Sequence, residues 1–68
     1  MADVKALKEK IAKSGIPMTT LSEKTGILRE TLYNRLAGKG EFKASEISAL
    51  GTALNMTVQE RDDIFFAS

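Results

Sequence analysis

The chain has 68 residues, ten of them Lys or Arg and nine Asp or Glu, with neither cysteine nor histidine and a formal net charge of +1. A chain this short makes one domain, residues 1–68, with one small core and hardly room for an enclosed substrate cavity. Without thiols or imidazoles it has no disulfide, no thiolate nucleophile, no imidazole base and no ordinary zinc site, so neither an enzyme nor a cofactor is expected. Its apolar runs are a few residues long, against the roughly 20 that cross a bilayer, and the N-terminus lacks the apolar core of a signal peptide. A cytoplasmic protein with no membrane partner is the simplest expectation.

The overall charge hides a local field. Residues 1–43 carry nine Lys or Arg against five Asp or Glu, a net +4, while residues 44–68 carry one against four, a net −3. A polyanion would dock on the first part. For Lys5, Lys8, Lys10 and Lys13 the alternative is a solvated helix face that only keeps the chain soluble.

In chain order, Asp3 is placed to cap a helix from Val4 to about Ser14, with Val4, Leu7 and Ile11 forming an apolar stripe at spacings of three and four. Gly15 ends it, and Ile16 and Pro17 lead into a second helix from Met18 to Thr25, where a missing backbone N–H does no harm. Gly26 then marks a sharp turn, since a reversal within about three residues passes through a left-handed conformation that glycine tolerates. Leu21, Ile27 and Leu32 are spaced to point into the angle between the second helix and a third, from Arg29 to about Ala37, and Ser22 is small enough for close approach. The outer side of that third helix keeps Arg29, Glu30, Tyr33 and Asn34, rich in hydrogen-bonding groups.

Gly38 follows the third helix, and Lys39 and Lys43 border a loop whose Phe42 anchors it into the core. A fourth helix, about Ala44 to Asn55, places Ile47, Leu50 and Leu54 on one side. Thr57 and Glu60 form a T-x-x-E capping box for a last helix beginning at Val58. Val58 and Phe65, seven apart, share a face, with Phe66 about 100° further round. So small a monomer has little room to bury both rings, which leaves Phe65 and Phe66 as a patch for a partner or as a tail folding back.

The stretch Met18 to Lys39, MTTLSEKTGILRETLYNRLAGK, resembles the helix-turn-helix of the phage repressor and Cro group, within the XRE-like family. The likeness continues through Gly38 and Lys39, the Glu46–Ile47 pair, and the closing Leu54-Asn55-Met56-Thr57-Val58 with Ile64-Phe65-Phe66, similar to small forms in phages of Gram-positive bacteria. It covers nearly the whole chain. The resemblance implies an all-α, five-helix, lambda-repressor-like DNA-binding domain that regulates transcription in a bacterial host cell, with operator double-stranded DNA as partner and pairing as a homodimer on palindromic half-sites. Two positions depart from the pattern. Arg35 stands where an aliphatic core residue is more common, and Met18 where a polar, DNA-facing residue is common.

Placed in the major groove, the third helix would bring Arg29 and Glu30, then Tyr33 and Asn34, closest to base edges. Arg matches guanine O6 and N7, Asn matches adenine, and Glu accepts from the cytosine amino group or holds Arg29 in one rotamer. The alternative for Arg29 and Asn34 is an ordinary exposed helix face with a local ion pair. Phosphate contact is expected at the start of the second helix, Met18 and Thr19, whose N–H groups and dipole favour an anion, and at Lys39 and Lys43. Arg35 is expected to lay its stem on the domain edge with its charge near a phosphate. The rival reading is a phage modulator or antirepressor that keeps the fold and binds another repressor subunit, which weak basicity, Met18 and the Phe-rich end favour.

Overall fold

The computed structural model describes residues 2–67, and among them every regular element is helical. Five helices follow in order: α1 Val4–Ser14, α2 Met18–Thr25, α3 Arg29–Leu36, α4 Ala44–Ala53 and α5 Val58–Phe65. The expected boundaries of α1 and α2 hold, while α3 and α4 each stop short, with Ala37 and Leu54 as their C-caps. Caps explain the starts. The Asp3 carboxylate accepts from the Ala6 N–H at 3.0 Å, and at α5 Thr57 and Glu60 complete their reciprocal box at 3.1 and 3.0 Å. Each satisfies backbone donors that a helix start leaves without an internal partner.

The helices pack as a closed ring, α1 on α3, α3 on α2, α2 on α4, α4 on α5 and α5 back on α1. Leu7, Leu21, Leu32 and Leu50, one from each of the first four helices, are essentially without solvent exposure and form its centre. Ile27, Leu36, Leu54, Ile64 and Phe65 complete the buried core. Phe42 reaches it from the loop after α3, its ring edge-on to Phe65 with centroids 5.2 Å apart, so the expected anchoring role is found. Such an edge-to-face pair adds about 0.5–1.5 kcal/mol beyond the area it buries.

The N- and C-terminal helices are joined by polar contacts as well. The Asp3 N–H donates to the Ile64 carbonyl at 2.6 Å, and Lys10 Nζ lies 2.7 Å from Glu60 Oε2. The Lys10 ammonium, together with the Thr57 N–H, holds the Glu60 carboxyl down to about 2.

One expected stripe is wrong in detail. Val58 is 66% exposed although it lies seven residues from Phe65. The buried residues of α5 are Ile64 and Phe65, both in its last turn, so the helix meets the core with its C-terminal end and its first residue projects beyond it.

Two outcomes follow from this packing. Leu21→Ala should cost about 2–5 kcal/mol in urea unfolding, because a residue wedged between helices leaves a cavity that neighbours fill poorly. Glu60→Gln should flatten the acid limb of stability. A carboxyl lowered from 4.5 to about 2 stabilises the fold above its unfolded value, and that contribution fades as pH falls through the interval between them. Thermal melts of both proteins through that range would show the wild type losing more.

Candidate functional site

The backbone reverses between α2 and α3 in three residues, Gly26 to Leu28. Gly26 adopts φ +74°, a conformation a side chain makes costly. Two hydroxyls fasten the turn. Thr25 Oγ1 donates to the Leu21 carbonyl at 2.8 Å and accepts from the Ile27 N–H at 3.2 Å, while Ser22 Oγ donates to the Ile27 carbonyl. Ser22 therefore does more than permit close approach, and the work of Thr25 had no signal in hydrophobic spacing. The S-x-x-T-G pattern, with hydroxyls one and four residues before the turn glycine, is the clue that could have found it.

With Leu32 and Leu36 buried, α3 turns its other side outward, and Arg29, Glu30, Tyr33 and Asn34 are all exposed along it. Among the described residues neither Arg29 nor Glu30 enters an ion pair in the free chain. The four side chains present amide, guanidinium, carboxylate and phenol ends along one face about two turns long.

The starts of α2 and α3 and the loop after α3 are open as well. Neither α2 nor α3 has a side-chain cap, their N-cap positions being Pro17 and Leu28, in contrast to α1 and α5. Their first-turn N–H groups, with the positive dipole ends, are left to solvent or a ligand. Thr19 is exposed beside the first of them, and Lys39 and Lys43 are exposed on the loop beyond α3. Leu28, at the head of α3, is 73% exposed.

Met18 is half-buried against the core, and the anion contact expected at the start of α2 rests on backbone N–H groups and not on this side chain. Two expected site residues are placed differently. Arg35 is not held out toward a phosphate. Its Nε lies 3.2 Å from Glu46 Oε1, with the two side chains only 17% and 11% exposed, since a guanidinium on the inner flank of α3 is costly to bury unless a carboxylate meets it. Burial pushes the Glu46 carboxyl up, but the Lys43 N–H and the Arg35 guanidinium outweigh it and hold the group below its ordinary value. Phe65 is buried at 4% exposure, which removes it from any partner patch, whereas Phe66 is 61% exposed. Phe66 borders an apolar groove walled by Val4, Phe42, Ile47 and Phe65.

The two rings should separate by stability. Phe65→Ala should cost about 3–5 kcal/mol, whereas Phe66→Ala should stay within about 0.5 kcal/mol, as read by denaturant midpoints of the two variants. Comparison with known proteins found no matching family model, no matching curated protein and no matching solved structure.

Proposed function

We propose that this chain is a sequence-specific DNA-binding transcription regulator of lambda-repressor-like fold, with α2 and α3 as its helix-turn-helix and α3 as the helix that reads the major groove. The observation that carries the reading is the exposed polar face of α3, whose Arg29 and Glu30 enter no ion pair among the described residues. An α-helix fits the groove of B-DNA, and the residues on this face are of the types that discriminate base edges: Arg29 for guanine, Asn34 for adenine and Glu30 for the cytosine amino group. Tyr33 completes the face with a phenol and a ring.

Positioning falls to groups around it. The open N-terminus of α2 with Thr19, and the lysines of the loop after α3, Lys39 and Lys43, are suited to phosphate oxygens on either side of the groove. Their contacts would supply salt-sensitive affinity without sequence choice. The skewed charge, +4 over residues 1–43, favours the same surface. Regulation would act by occupancy of an operator in the cytoplasm of a bacterial host, and no step of it requires catalysis or a cofactor.

A second reading has its own observation. The exposed apolar side chains Leu28, Val58 and Phe66 favour a modulator or antirepressor that binds a repressor subunit, or a two-fold pairing of this chain on DNA.

Selection from a randomised duplex pool at two salt concentrations tests the first reading. An enriched palindrome with steep salt dependence is expected, and no enrichment at low salt would turn the reading toward a protein partner. On the selected duplex, Arg29→Ala should lose about 1–3 kcal/mol of discrimination at one base pair. Lys39→Ala should instead weaken all sequences alike and reduce the salt slope by about one. Equal losses on selected and random duplexes for both variants would contradict the assigned roles.

A further inference from the structure

The loop between α3 and α4 is tied at one end to the last turn of α3 and at the other to Glu46, and it crosses the Arg35 guanidinium between them. At its start the Lys39 N–H donates to the Asn34 carbonyl at 2.8 Å. At its end the Lys43 N–H donates to Glu46 Oε1 at 2.9 Å. The same carboxylate takes the Arg35 guanidinium by both oxygens, Nε to Oε1 at 3.2 Å and Nη2 to Oε2 at 3.5 Å. Between the two ties Gly40, at φ +84°, passes so close over the arginine that a Cβ there would lie 2.5 Å from Arg35 Nη1. The loop is thus a strap drawn across the guanidinium, and it holds the two exposed lysines assigned to phosphate.

An arginine this near the polar face of α3 would make a ready phosphate ligand if it pointed outward. It is instead committed, in a largely buried and bidentate contact, to a carboxylate that also receives the strap. A bidentate guanidinium–carboxylate contact restricts orientation as well as distance. We propose that Arg35 is a positioning residue, setting through Glu46 where Lys39 and Lys43 stand relative to the base-reading face of α3. This deepens the DNA-binding reading and rests on it. The strap itself does not, since it is a property of the free chain.

The two roles open to Arg35 predict opposite signs for one substitution. If Arg35 acts through Glu46, Glu46→Ala lets the strap drift and affinity for the selected duplex falls, with a salt slope smaller by one to two of the roughly 0.9 increments that each phosphate contact contributes. Arg35→Met gives the same pattern, and Lys39→Ala costs less in the Glu46→Ala background than in the wild type. If Arg35 is itself a phosphate ligand, Glu46→Ala frees it and affinity rises. That rise would overturn the proposal. Glu46→Gln, which keeps the side-chain size and one acceptor, should shift affinity and slope in the same direction by less, and serves if the larger changes impair folding.

Amide hydrogen exchange on the chain without DNA supplies an independent readout. The Lys39 and Lys43 amides should exchange about tenfold faster in Arg35→Met, which leaves the Glu46 acceptor of the Lys43 N–H in place, beyond any common acceleration of the Leu7 and Leu21 amides. Unchanged relative rates at both lysines would show that no strap exists and would overturn the proposal. Failure of the wild-type chain to bind any duplex would remove the positioning role together with the DNA-binding reading, and the exchange rates would then report separately on the strap.

Discussion

The reversal between α2 and α3 is the constraint on which the arrangement depends. Three residues turn the chain, and so short a connection leaves the angle between the helices to the left-handed Gly26, the two hydroxyls of Ser22 and Thr25, and the contact of Leu21 with its neighbours. Because the inner flank of α3 must then meet α1 and α2, Leu32 and Leu36 are drawn inward and the opposite flank is left exposed. The polar face is therefore a consequence of the turn. Free rotation of α3 about its own axis would bury Arg29 or Asn34 without partners, at a cost that a core of this size could not offset.

Charges fall into two groups. Lys10 with Glu60, Arg35 with Glu46, and Arg61 with Asp62 are paired within the domain, the first joining α1 to α5 and the second joining the consecutive helices α3 and α4. The Lys10–Glu60 pair is partly exposed and screened by solvent, whereas Arg35 and Glu46 lie largely out of water, where losing one partner strands the other. Among the described residues Arg29 on α3 and Lys39 and Lys43 on the loop after it enter no ion pair, as is also true of Lys5, Lys8, Lys13 and Lys24. The proposed division of labour follows this partition, with internal pairs fixing geometry and unpaired cations left to meet an external polyanion.

Much of the fold was legible because the elements are short, capped and punctuated. Asp3, Gly15, Gly26 and the Thr57–Glu60 box each announce a boundary through local backbone chemistry, which needs no knowledge of the rest of the chain. What could not be read depended on partners far away in sequence. Arg35 looked free because its carboxylate lies eleven residues on, across a loop whose path is set by glycines and not by hydrophobic period. Phe65 and Val58 were paired by spacing alone, yet depth in the core is decided by where α5 ends against α1 and α4. Met18, by its place at the start of α2, suggested exposure, while its thioether chain found apolar neighbours.

The most direct test of the account is a chemical-shift map of the isotopically labelled chain titrated with the duplex enriched from a random pool. Perturbations are expected at the start of α2 from Met18 to Thr20, along α3 at Arg29, Glu30, Tyr33 and Asn34, and at Lys39 and Lys43, with α1 little changed. Perturbations centred on Phe66 and α5 with a silent α3, or no perturbation at any DNA concentration, would contradict it.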